Sequence, residues 1–258
     1  MANDDWPRKA DDDYLDAIDY TKDSLDIEDL EDIEHAVMLK DVCRVYKIGK
    51  EEIAALNGVS LVVDQGDFVV ISGKSGSGKT TLLNIIGAID LATSGRVFVM
   101  DVPINDYDET FRSMFRLDNT GFIFQSYNLV STLTAVENVM FPMQLTSRSQ
   151  KELRDDAIKL LEDVEMNHRI NHLPWQLSSG EQQRVAIARA LANDPAIILA
   201  DEPTANLDGD SGQMIRQLLN KLNGAGKTVI VMTHDQDIIN KQGARHFTME
   251  NGELKQNV

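Results

Sequence analysis

The chain is short of cysteine, of long apolar runs and of positive charge, and each shortage removes a class of protein. One cysteine among 258 residues, Cys43, permits no internal disulfide and no cysteine-built zinc site. That suits a reducing compartment, and Cys43 reads as a small buried apolar residue. No run approaches the ~20 consecutive apolar residues of a membrane span, and the first residues lack the basic-then-apolar order of a secretory signal. The expectation is a chain that stays in the cytosol. Lys and Arg number 25 against 42 Asp and Glu, a net charge of −17. Gripping nucleic acid requires Lys and Arg to neutralise phosphates, so the reading is no nucleic-acid partner.

Hydrophobic residues make up 42% of the chain, enough for a packed core in one large α/β domain or two small ones. The charge is uneven. Residues 1–36 hold 14 Asp and Glu against 3 Lys and Arg, a net of −11 that leaves −6 for residues 37–258. So few apolar groups do not offset the entropy of ordering, and the expectation is a disordered acidic extension. Tyr14, Leu15 and Ile18, then Leu30 and Ile33, give it the alternative of short amphipathic turns that dock on a partner.

From residue 37 the pattern is that of a folded domain. Val37-Met38-Leu39 with Val42–Tyr46 predicts one strand and Ser60–Val63 another, with a loop over Lys47–Asn57 and a turn at Asn57-Gly58. Asp67–Ser72 is a buried strand and Thr81–Ile86 opens a helix. Between them Gly73-Lys74-Ser75-Gly76-Ser77-Gly78-Lys79-Thr80 fits G-x-x-x-x-G-K-[ST], the phosphate-binding loop. Its glycines allow positive φ and bring N–H groups close to a polyanion at a helix N-terminus. Lys79 would reach the β- and γ-phosphates, and Thr80 would offer a hydroxyl to a phosphate-bound Mg²⁺.

Further along, Arg96–Met100 is a strand, and Asp106-x-x-Glu109 predicts a capped helix with Phe111, Met114 and Phe115 on one side. Gly121–Phe124 is a short strand ending at Gln125. Ser149-x-x-Glu152 caps a helix whose Leu153, Ala157, Leu160, Leu161 and Val164 form one stripe. A second helix runs from near Ser179 past Leu191. Ala196–Ala200 reads as a central parallel strand that ends in Asp201 and Glu202. Asp201 suits the acidic group that orients Mg²⁺, and Glu202 suits a base for the attacking water. Gln125 fits a neutral oxygen for the metal or the water. A helix through Met214–Leu222 leads to the strand Thr228–Met232, with His234 just past it, and Arg245–Glu250 with Asn251-Gly252 predicts a hairpin.

Leu177-Ser178-Ser179-Gly180-Glu181-Gln182-Gln183-Arg184 resembles the signature sequence of ATP-binding cassette (ABC) ATPases, and it precedes the Asp201 strand as it does there. The resemblance covers about residues 37–255. It implies Tyr46 as the aromatic that stacks on adenine, Gln125 as the Q-loop glutamine, Asn206-Leu207-Asp208 as the D-loop and His234 as the switch histidine. It also implies the fold: an α/β P-loop NTPase core with an antiparallel β layer and a helical subdomain inserted at roughly 125–185. Two ATP would be sandwiched between identical or closely related subunits, each between Gly73–Thr81 of one chain and Ser178, Ser179, Gly180 and Glu181 of the other, with Asp208 nearby. Ser179 stands where the family usually has Gly, and Glu181 where Gln is common.

Tyr46–Gly49, Phe122–Leu129, Glu137-Asn138-Val139 and Asp201–Asp208 look like the branch that includes lipoprotein-release and macrolide-export ATPases. That implies a separate integral membrane permease as partner and a place on the cytoplasmic face of a membrane. A soluble ABC ATPase of the chromosome-maintenance or DNA-repair kind is the alternative; its long heptad or cysteine-rich insertion is missing. His35, His168, His172 and His246 read as surface or structural, and Pro174 and Trp175 as packing residues.

Overall fold

The computed structural model describes residues 35–257, so the expectations for the acidic extension lie outside the described residues. The chain opens with two long antiparallel strands, β1 (His35–Ile48) and β2 (Glu51–Asp64). The loop expected over Lys47–Asn57 is a tight hairpin instead, because Glu51–Leu56 continues the ladder. Asn57-Gly58 is not a chain reversal either. Gly58 takes φ +67° inside β2, where the pairing slips between Leu56↔Arg44 and Val59↔Val42, so the turn-forming dipeptide makes a β-bulge. Cys43 is only half-buried beside it, its Sγ accepting from the Gly58 amide at 3.2 Å.

After β3 (Phe68–Ser72) come α1 (Lys79–Ile86), β4 (Ser94–Val99) and β5 (Val102–Pro103). β2-β1-β4-β5 form one antiparallel sheet. The next helix, α2 (Glu109–Asn119), begins after Asp108, whose carboxylate accepts from the Phe111 amide; the expected cap, Asp106, lies two residues too early in a 3₁₀ segment. Phe115 on α2 is buried, but Met114 is 50% exposed and off the expected face.

The second sheet runs β10-β9-β3-β8-β7-β6, adding β6 (Thr120–Ile123), β7 (Ile197–Asp201), β8 (Thr228–Met232), β9 (Arg245–Glu250) and β10 (Glu253–Gln256). β9-β3-β8-β7-β6 are parallel neighbours and β10 returns antiparallel across Asn251-Gly252. Both faces are covered, which is why these strands read as unbroken apolar runs. Val69 and Ile71, Leu199, Ile230 and Met232 face α1 and the antiparallel sheet. Val70, Ile198, Ala200, Val229 and Val231 face the other core.

That second core is completed by α3 (Ala135–Met143), α4 (Gln150–Asp163), α5 (Ser179–Ala190) and α6 (Gly209–Gly224), with the short α7 (Gln236–Ile239). Three of these helices start on capping boxes: Thr134 with Glu137, Ser149 with Glu152, and Ser178 with Glu181. Each satisfies two otherwise orphan backbone donors, about 1 kcal/mol of helix stability per cap. The stripe on α4 points inward as expected, with Leu153, Ala157 and Leu161 buried. Pro174 is buried, whereas Trp175, expected to pack, is 73% exposed.

Candidate functional site

The phosphate-type loop sits where β3 ends at the middle of the parallel sheet. Gly73 (φ +149°) and Gly78 (φ +109°, the N-cap of α1) hold conformations that side chains rarely adopt. A Cβ at Gly73 would lie 2.3 Å from the Met249 carbonyl oxygen, and one at Gly78 2.4 Å from that of Ala55. The loop is therefore wedged between β2 and the C-terminal hairpin, and the Gly252 amide donates to Ser77 O at 3.0 Å. Lys79 is buried, its Nζ donating to Gly73 O (2.7 Å) and Lys74 O (3.0 Å), so the loop wraps its own cation.

A cavity of about 820 Å³ opens over this loop, within the range of small-molecule sites. Residues 72–77 form one wall; His234, Gln236, Thr248, Glu250 and Asn251 contribute to the others. The residues after His246 carry no motif, and only the pairing of β9 with β3 delivers them here.

Beside the loop, Thr80 Oγ1 donates to Asp201 Oδ2 at 2.7 Å. Burial pushes the Asp201 carboxyl above its ordinary range; the Thr80 hydroxyl opposes this, Glu202's charge adds to it and Lys79 counters it. Two hard oxygens next to a phosphate-type loop fit Mg²⁺, which takes few protein ligands and keeps several waters. Gln125, read as a third oxygen, is exposed, and no hydrogen bond joins its side chain to Thr80 or Asp201; its backbone carbonyl accepts from Asn206 Nδ2 at 3.2 Å.

Glu202 and His234 meet because β7 and β8 are parallel neighbours ending level, with Asp201 opposite Met232. The Glu202 amide donates to Met232 O at 2.8 Å, and Glu202 itself holds φ +48°. Its carboxylate is mostly covered and lies 2.9 Å from His234 Nδ1, while the His234 amide donates to Oε2 at 3.3 Å. His234 is otherwise exposed. An acceptor of protons and an imidazole thus stand together at the edge of the loop's cavity.

The signature segment is elsewhere: Ser178, Ser179 and Glu181 do not line this cavity. Ser178 caps α5, its Oγ accepting from the Glu181 amide at 3.2 Å. Glu181, read from the sequence among the nucleotide contacts, is committed to its own helix: Oε2 accepts from the Ser178 amide (2.8 Å) and Oε1 from Arg169 Nε (3.0 Å). Its carboxyl is raised by burial, but these bonds outweigh that and hold it below the usual range. Gly180 is buried against α6, where a Cβ would fall 2.4 Å from Ser211 Oγ, so the glycine is required by internal packing. Burial pushes the Tyr127 phenol above its ordinary value, and the neighbouring Ser179 hydroxyl opposes this. Asp208 caps α6, accepting from the Ser211 amide at 2.8 Å.

Tyr46 also stands outside the cavity wall. Arg44 lies over its ring at 4.5 Å, and its hydroxyl donates to Asp90 Oδ2 at 2.6 Å. Among the described residues no group of three or more His, Cys, Asp or Glu could hold a metal ion by itself.

Residues 56–205 match the family model described as ABC transporter. The chain is 48% identical over 224 residues to the uncharacterized ABC transporter ATP-binding protein MJ0796 of Methanocaldococcus jannaschii, covering 85% of this chain and 95% of that protein. It is 45% identical over 202 residues to the macrolide export ATP-binding/permease protein MacB of Hyphomonas neptunium, covering 78% of this chain but 31% of that protein. A solved dimeric, post-hydrolysis structure of MJ0796 bound to ADP and Pi superposes with a TM-score of 0.81 at 47% identity, covering 86% of this chain and 97% of that one. With the phosphate-type loop, the Thr80–Asp201 and Glu202–His234 pairs and the capped signature helix on one α/β frame, the chain belongs to the ABC transporter family, as one of its ATP-binding and ATP-hydrolysing cassettes.

Proposed function

We propose that the chain is the ATPase subunit of a membrane ABC system, closing with a second subunit around two ATP and driving a separate permease. The observation that carries the site assignment is the Glu202–His234 pair beside a loop that already encloses Lys79. Residues 73–81 hold the phosphates, with Ser75, Gly76, Ser77 and Thr81 offering hydroxyls and amides around Lys79. Thr80 and Asp201, with Gln125 as a further oxygen, would hold a Mg²⁺, which would supply neutralisation of phosphate charge there. Glu202 accepts the proton of the attacking water, and His234 keeps that water and the terminal phosphate aligned. Tyr46 stacks on adenine through the face opposite Arg44.

Ser178 supports the two-subunit reading. It is exposed at a helix N-terminus yet outside its own loop's cavity, so the phosphate it suits would belong to another chain, and the relative's cassette is itself solved as a dimer. The nucleotide-binding domain starts at His35, two residues before the boundary expected from the sequence, because His35 and Ala36 are buried in β1, and it carries a helical subdomain over roughly 125–185.

Two facts support a permease. The chain matches less than a third of the ATP-binding/permease relative, whose remaining length is where a permease would lie. And a groove of about 380 Å³ between α2, α3 and α5 is rimmed by the exposed apolar Ile89 and Phe141. No helix among the described residues is long and apolar enough to cross a membrane. In this reading the permease is a separate chain and the subunit a peripheral one on the cytoplasmic face.

Ser178→Asp tests the closure. Aspartate caps a helix as well as serine does, so α5 should keep its start while a negative charge is aimed at the facing phosphate. ATP affinity of the single subunit should persist and ATP-dependent dimers should disappear in sedimentation. Dimers forming as in the parent would sink the sandwich.

A further inference from the structure

Three segments far apart in the chain meet on one carboxylate next to His234. Asp235 Oδ2 accepts from Thr204 Oγ1 at 2.8 Å and from Arg216 Nη1 at 2.9 Å, and its Oδ1 accepts from the Asp237 amide at 2.9 Å. Arg216 Nη2 reaches Asp237 Oδ2 at 3.2 Å. Thr204 lies two residues past Glu202, Arg216 lies on α6, and Asp235 follows His234 directly. The Arg216 and Asp235 side chains are only 23% and 17% exposed, so this is no solvated surface pair.

His234 has little else to hold it: its own side chain is 74% exposed and touches Glu202. Its place is set by the backbone on either side. Before it, the fully buried Thr233 donates its amide to Ile71 O at 3.1 Å and accepts from the Asp235 amide at 3.0 Å. After it comes Asp235. The same cluster fixes the other partner, since Thr204 belongs to the turn that leaves Glu202, and Pro203 O accepts from the buried Gln183 Nε2 of α5 at 2.9 Å.

We propose that the Arg216–Asp235–Thr204 cluster sets His234 and Glu202 relative to each other, which makes Arg216 and Asp235 positioning residues for ATP hydrolysis. This rests on the reading of Glu202 and His234 as the hydrolytic pair. Neither Arg216 nor Asp235 lines the cavity over the phosphate-type loop, so they act on the alignment of the reacting groups and not on the affinity for nucleotide. Freed of Arg216, Asp235 keeps Thr204 but loses its charge-assisted bond, and the turn carrying His234 is no longer tied to α6.

The test is steady-state ATPase, ATP affinity and thermal melting on the full chain for Arg216→Met, Arg216→Lys and Asp235→Asn. Misplacement on the ångström scale is worth about 10- to 100-fold in turnover. Arg216→Met and Asp235→Asn should therefore lose kcat by about 10-fold or more, with KM and ATP affinity within about twofold of the parent. Arg216→Lys should recover part of the loss, because it restores a cation to Asp235. The proposal falls if Arg216→Met keeps kcat within about twofold, if affinity falls in step with kcat, or if lysine recovers nothing. Should Arg216→Met unfold at the assay temperature, Asp235→Asn carries the test with the same expectations. The parent rate, measured alongside, tests the functional reading by itself: a parent without ATPase activity removes both, whereas an active parent with indifferent variants removes only this cluster's role.

Discussion

Glu202→Gln separates catalysis from binding at one atom. In the structure Glu202 Oε2 lies 2.9 Å from His234 Nδ1 and accepts from the His234 amide at 3.3 Å. Glutamine has the same length and keeps one acceptor oxygen, so both contacts survive and the turn at φ +48° has no new atom to accommodate. What is lost is the ability to take a proton from water. General-base catalysis is worth about 10²–10⁴-fold, which at 1.36 kcal/mol per tenfold is roughly 3–5 kcal/mol on the barrier. Lys79, Thr80 and Asp201 are untouched, so ATP affinity should hold and the variant should collect as an ATP-bound dimer. His234→Ala should show the same split. Lys79→Ala should not: it removes the buried ammonium from the loop and should lose affinity itself. The assay is single-turnover hydrolysis with parallel ATP binding and sedimentation. Turnover of Glu202→Gln at the parent rate would refute the assignment of the base.

Three further perturbations read other parts of the structure. Tyr46→Ala should weaken ATP binding by about 1–3 kcal/mol, the range of base–aromatic stacking, while Tyr46→Phe should keep affinity but lower the melting temperature, because the Asp90 carboxylate loses its 2.6 Å donor; equal affinity for parent and alanine variant by titration would move adenine elsewhere. Gly180→Ala places a methyl 2.4 Å from Ser211 Oγ and should cost about 1–3 kcal/mol of stability, with Ser211→Gly recovering part of it in the double variant; a melt unchanged in Gly180→Ala would contradict the packing of α5 on α6. Asp235 is raised by burial but held below its ordinary value overall by Thr204, the Asp237 amide and Arg216. Its unfolded form therefore takes up a proton first, so its stabilisation is complete above the unfolded value of about 3.9 and fades as pH falls through the folded one. The stability gap between the parent and Asp235→Asn, followed by denaturant unfolding against pH, should be widest near neutrality and shrink below about pH 4; a gap that grows on acidification would reverse the sign.

By itself the sequence determined what depends on neighbours along the chain. The phosphate-type loop was legible because its glycines, Lys79 and Thr80 act within eight residues. The capping box at Ser149 was legible because N-cap and N3 are three apart. The strand runs around Asp201 and Met232 were legible because a sheet covered on both faces excludes polar residues. What the tertiary structure decided is what depends on register between distant elements. Asn57-Gly58 has the chemistry of a turn, and only the pairing of β2 with β1 makes it a bulge. Nothing in the sequence tells what packs against Gly180, and only the placing of α6 brings Ser211 there. The Arg216–Asp235–Thr204 cluster had no signal at all, since its three residues come from a turn, a helix and a strand end with no fixed spacing among them. A motif survives in sequence when one segment of backbone carries its geometry; a cluster assembled by parallel strands and the helices packed on them is specified only by the fold.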